Sequence, residues 1–142
     1  MSASQRSKGA RGEREVARII SDLLGFEVSR RCRQHDGDCD LEGVPGWSIE
    51  VKNHAKVTRS ILMAWWQQTL EQSGELAPCL WYKRAPGWWR VVWPSGACLP
   101  DIGHVLASGY LGWEYTNEGE PEAWAAAVRE SLPYPLTNRK ML

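Results

Sequence analysis

Phenylalanine is almost missing from this 142-residue chain, which has one, and net charge is missing altogether, with 17 Lys and Arg against 17 Asp and Glu. None of the four cysteines (Cys32, Cys39, Cys79, Cys98) forms a CxxC pair, so the paired ligand clusters of a structural zinc site are absent. Cys32, His35 and Cys39 lie close together in sequence without a fourth ligand nearby, and free thiols in a reducing compartment are the expectation. No apolar run approaches the roughly 18–20 residues that span a bilayer. The polar, basic start MSASQRSKGARGER does not read as a secretory signal. What is present is ordinary for a globular chain: 43% hydrophobic and 24% charged residues exclude wholesale disorder. The length fits one domain, 1–142, able to bury a core without metal or disulfide staples.

Zero net charge would argue against a nucleic-acid partner if the charge were spread evenly, and it is not. Residues 1–33 carry eight Lys and Arg against four acids, a surplus of +4, while residues 97–138 carry six acids and one base, a deficit of −5. A basic front can face phosphates while the rest of the molecule stays acidic.

Helical periodicity starts at Lys8: Val16, Ile19, Ile20, Leu23 and Leu24 form one apolar stripe that stops at Gly25. Residues 1–7 read as a frayed tail. Glu13 falls on the same stripe three residues before Val16, and a carboxylate at that edge needs a reason. Phe26–Arg30 alternates like a strand and Arg31–Asp38 reads as loop. Asp40-Leu41-Glu42 leads through the turn Gly43–Gly46 into Trp47–Lys52, a hairpin. A second helix is expected over Thr58–Gln72, strands over Ala77–Lys83 and Trp88–Trp93, and a last helix over Pro121–Ser131. Strands flanked by helices in this order predict an α/β fold with a central mixed sheet.

In a strand, Ser48, Glu50 and Lys52 share one face. Asp40 enters from the neighbouring strand, where cross-strand carboxylates come close enough to share a cation. Two carboxylates and a backbone carbonyl are what Mg²⁺ or Mn²⁺ accepts, leaving positions for water and a phosphate. Lys52 would orient that water or offset charge in the transition state. An E-x-K strand alone also fits a surface ion pair; Asp40 at hairpin spacing and the inward Glu13 favour the catalytic reading.

Asp40 with Glu50-Val51-Lys52 resembles the PD-(D/E)xK nuclease superfamily. Lys8-Gly9-Ala10-Arg11-Gly12-Glu13-Arg14-Glu15-Val16, the helix end at Gly25-Phe26 and Ile49-Glu50-Val51-Lys52 together are similar to archaeal-type Holliday junction resolvases, which have relatives in bacteriophages. The resemblance covers about residues 8–93 and leaves 94–142 as an extension of unknown role. It implies a restriction-endonuclease-like core and a Mg²⁺ (or Mn²⁺) site of Glu13, Asp40 and Glu50 with Lys52 as catalytic lysine. The residue before Asp40 is Cys39 instead of proline, and Asp36 and Asp38 in the preceding loop are alternative metal-binding aspartates. The implied substrate is a four-way DNA junction cut by a homodimer in the cytoplasm of a prokaryotic or phage-infected cell. Arg11, Arg14, Arg18, Arg30, Arg31, Arg33, Lys56 and Arg59 supply the basic surface such an enzyme needs. Of the nine tryptophans, Trp47, Trp81 and one of each adjacent pair are expected in the core. Trp65, Trp66, Trp88, Trp89 and Trp93 also offer material for a dimer patch. His54 sits just past Lys52 as a possible phosphate or metal contact or a loop residue without a role, and Gln67 and Gln68 face either the cleft or solvent. The competing readings are another nuclease of the superfamily, restriction-type or repair, and a catalytically silent DNA-binding module.

Overall fold

A computed structural model of the chain describes residues 2–32, 39–85, 87–95 and 111–131. The first helix, α1 (Ala3–Leu24), begins earlier than its apolar stripe suggests. Ser2 accepts the Gln5 backbone N–H while the Gln5 side chain returns to the Ser2 N–H. This capping box satisfies the first-turn donors and makes residues 3–7 helical instead of frayed. The helix ends where expected, at Gly25, which takes a left-handed φ of 78°.

Strand β1 (Ser29–Cys32) starts three residues after its predicted beginning. The Val28 N–H is taken by the Ser21 hydroxyl (2.9 Å), so the sheet ladder opens only at Ser29. It also continues through Arg31 and Cys32, which pair with Asp40 and Cys39 of β2 (Cys39–Glu42). Strands β3 (Trp47–Lys52), β4 (Ala77–Ala85) and β5 (Trp88–Pro94) and helix α2 (Arg59–Ser73) fall close to their predicted positions. One further strand, β6 (Thr116–Gly119), precedes the last helix, α3 (Pro121–Ser131). The six strands lie in chain order in one mixed sheet. Every neighbouring pair is antiparallel except β3 and β4, which α2 connects as a crossover. The fold is thus the single-domain α/β arrangement of a restriction-endonuclease-like core.

Side-chain alternation divides the sheet into two faces. Val16, Ala17 and Ile20 of α1 and Trp124 and Val128 of α3 pack on Ile49, Cys79, Trp81 and Val91. On the other face Trp66 of α2 packs on Leu80, Tyr82 and Val92. Residues beyond Pro94 therefore complete both the sheet and the larger core. The tryptophans are mostly interior: Trp47, Trp66, Trp81, Trp89, Trp93 and Trp124 are buried, and of each adjacent pair Trp66 and Trp89 are the inner members. Trp88, at 56% exposure, is left as a large exposed aromatic. Trp66, Trp89 and Trp93 are thereby spent on the core and drop out of any dimer patch.

Helix α1 is also tied to β4 and β5 by Glu15. The Trp89 indole donates to Glu15 Oε1 (2.8 Å), Lys83 Nζ lies 3.3 Å from Oε2, and the same ammonium sits 5.1 Å from the Trp89 ring centroid. Burial alone would raise the Glu15 carboxyl, but the Trp89 and Lys83 hydrogen bonds and the charges of Lys83 and Arg18 outweigh it and hold it below its ordinary 4.5. A depressed folded value contributes stability that is present above the unfolded value and lost as the pH falls through the folded one. Glu15→Gln is expected to lower stability by about 1 kcal/mol at pH 7. Urea unfolding at pH 7 and at progressively lower pH below 4.5 should show the two proteins converging in acid.

Candidate active site

The hairpin delivers the proposed catalytic pair to one face of the sheet. Leu41 of β2 is the partner of Ile49 in β3. Continuing that antiparallel register by one residue sets position 40 beside position 50, so the backbone brings Asp40 next to Glu50. In the parallel direction Glu50 is level with Leu80 and Lys52 with Tyr82, both on the α2 side. Lys52 Nζ lies 3.5 Å from Glu50 Oε1, with side-chain exposures of 17% and 19%. The two charges are close and mostly covered.

Glu13 does not join them. Arg30 pairs with Leu41 in register and so belongs to the α1 face, where its Nε donates to Glu13 Oε2. The inward carboxylate on the first helix therefore closes an ion pair with β1, on the opposite face of the sheet from Glu50 and Lys52. The same contact engages Arg30, which the sequence suggested for the DNA backbone. Among the described residues no three His, Cys, Asp or Glu side chains gather as a metal cage.

Arg11, Arg14 and Arg18 follow one another at helical spacing along α1 and are exposed. Arg31 is exposed and lies 3.3 Å from Glu42. Lys56, in the loop after β3, and Arg59, the first residue of α2, are also exposed. Arg33, His35, Asp36 and Asp38 lie outside the described residues. Gln67 and Gln68 are exposed on α2.

Of the further residues close to the pair, the sequence singled out only His54. Asn53 Nδ2 donates to the Lys8 carbonyl (3.0 Å) and pins the first turns of α1 to the end of β3. The His54 ring lies 5.1 Å from that of Trp65 on α2. Burial of part of the ring, then the charges of Lys52 and Lys8, hold the His54 imidazole below its ordinary 6.5. Next to Lys52 in the sheet, Tyr82 opens a groove of about 300 Å³ bordered by Thr58, Arg59, Arg84 and Glu118. The Tyr82 hydroxyl donates to Glu118 Oε1 (2.5 Å), and Arg90 holds the other carboxylate oxygen at 3.0 Å. Burial and the Glu118 acceptor together keep this phenol protonated far above its usual range.

The expectation of free thiols holds for Cys79, which is buried, and fails for Cys32, which is disulfide-bonded. In the backbone register Cys32 of β1 lies opposite position 39 of β2.

Residues 4–103 match a family described as "Phage putative PDDEXK endonuclease". No curated protein and no solved structure matches the chain.

Proposed function

We propose a function from one established premise: the chain belongs to this phage PDDEXK endonuclease family. On that premise it is a divalent-metal-dependent DNA endonuclease that selects branched DNA, nicking four-way junctions in pairs. The observation that carries the nuclease reading is the Glu50–Lys52 pair, 3.5 Å apart on the α2 side of β3, with the β2–β3 register, Leu41 opposite Ile49, carrying position 40 toward it.

The donor chemistry suits a hard cation. Glu50 and Asp40 offer carboxylate oxygens and the strand offers carbonyls, with no thiolate or imidazole required; that is a Mg²⁺ or Mn²⁺ set. Bound there, such a cation would supply Lewis-acid stabilisation of phosphoryl charge. The chain's own contribution is electrostatic and positional. Lys52 presents a fixed ammonium where negative charge grows on the phosphate being cleaved, and Glu50 keeps that ammonium on the active face. Arg30 and Glu13 brace α1 against β1 from the opposite side. Exposed Arg11, Arg14 and Arg18 on α1, and exposed Lys56 and Arg59 between β3 and α2, would contact the DNA backbone, a mode of recognition that reads branch shape more than sequence. Paired nicks require two such centres, hence a dimer of this chain.

Purified protein incubated with a synthetic four-way junction or a linear duplex of the same sequence separates these claims. Symmetric nicks near the branch point in Mg²⁺, absent in EDTA and on the duplex, are expected. Equal cutting of both DNAs would make it a general nuclease of the superfamily. Binding without any cutting would make it a silent DNA-binding module.

A further inference from the structure

Strand β3 does not simply end at Lys52, because the next two residues dock both helices. Asn53 holds the Lys8 carbonyl, and Gly12 lets the helix come that close: a Cβ at Gly12 would lie 2.9 Å from the Asn53 Cβ. His54 then turns its ring onto Trp65 at 5.1 Å. Lys8 is thus carried to the same corner as Lys52, and both ammonium groups act on His54. Lys8 has no ion-pair partner and the His54 ring nitrogens have no hydrogen-bond partner among the described residues. A neutral imidazole still has an N–H to donate.

We propose that Lys8 and His54, positioned by Asn53 and Trp65, form a seat for a DNA phosphate adjacent to the one cleaved at Glu50 and Lys52. The proposal rests on the nuclease reading above. An incoming phosphodiester meets the Lys8 ammonium and accepts the imidazole N–H of His54. Two residues of extended chain separate Lys52 from His54, a reach of roughly 7 Å. One DNA strand can therefore touch both without bending back on itself. Lys8 supplies charge; His54 supplies a directed hydrogen bond.

The division of labour gives each residue its own signature. Binding of the full chain to a four-way junction would be measured in EDTA over a range of KCl concentrations. Lys8→Ala is expected to weaken binding about 5- to 10-fold and to reduce the log–log salt slope by about 0.9, one phosphate contact. His54→Ala is expected to weaken binding about 5-fold with the slope unchanged, and His54→Gln, which keeps an N–H donor, to recover most of that loss. Asn53→Ala, with Lys8 present but unpinned, should reproduce part of the Lys8 slope change. In Mg²⁺ the losses should lie in KM more than in kcat. Wild-type affinity and slope in both Lys8→Ala and His54→Ala would overturn the seat, as would a fall in kcat at unchanged affinity. If the wild-type protein never cuts DNA but these variants still lose affinity as described, the nuclease reading falls and the seat stands. If the wild type cuts, Lys52→Ala does not, and the Lys8 and His54 variants bind normally, the seat alone falls.

Discussion

Glu50→Gln and Lys52→Ala are each expected to reduce DNA cleavage by about 10³-fold, the scale of losing one preorganised charge at a reacting phosphate. Binding in EDTA should change by no more than a few-fold. The argument rests on what the two substitutions leave intact. Both side chains are partly exposed on the α2 side of β3, and neither belongs to the two packed cores. Glu50→Gln keeps the size of the side chain while removing the charge that attracts Lys52. Lys52→Ala removes the ammonium and leaves the Glu50 carboxylate in place. A variant that folds, binds junctions and does not cut would assign these residues to the chemical step. If either retains half of wild-type activity, the centre is elsewhere.

Trp124→Ala is expected to have the largest effect on stability, about 3–5 kcal/mol, because it opens a cavity that rigid neighbours cannot fill. Trp124 is fully buried, and its ring meets Trp81 at 5.4 Å and Trp47 at 5.7 Å, both edge-to-face. With Val128 it anchors α3 to the sheet. Its indole N–H has no hydrogen-bond partner among the described residues, and a buried unsatisfied donor costs about 1–3 kcal/mol. Trp124→Phe gives up volume but removes that donor, so it should cost much less than alanine. Urea unfolding of the three proteins tests this ordering. A phenylalanine variant as unstable as the alanine one would contradict it.

The parts of the fold that were legible are those where side-chain period and local backbone chemistry agree. Val16 to Leu24 repeat with helical period and stop at a glycine that accepts a positive φ, so the end of α1 was readable. Trp47 to Lys52 alternate, so both the strand and the shared face of Glu50 and Lys52 could be placed. The start of α1 was hidden because a Ser2–Gln5 capping box stabilises a turn that carries no apolar stripe. Strand β6, Thr-Asn-Glu-Gly, has no apolar alternation at all; it exists because β5 offers it an edge to pair with. The site was half legible for a related reason. Position 40 and Glu50 meet through a local hairpin, which spacing can reveal. The Glu13–Arg30 pair, the Asn53–Lys8 bond and the His54–Trp65 contact join elements far apart in the chain, and only the packing of helices on the sheet brings them together.

The charge asymmetry also takes on a physical form. The basic front divides between arginines exposed on α1 and cations paired across elements, Arg30 with Glu13 and Arg31 with Glu42. Acidic residues late in the chain are partly structural: Glu118 and Glu120 both hold Arg90.

The most direct measurement of the central claim is a single nicking assay on a four-way junction, with wild-type protein and Glu50→Gln side by side in Mg²⁺ and in EDTA. The account predicts nicks in one lane of the four, wild type with Mg²⁺. Nicking by Glu50→Gln at the wild-type rate, or by the wild-type protein in EDTA, would contradict it.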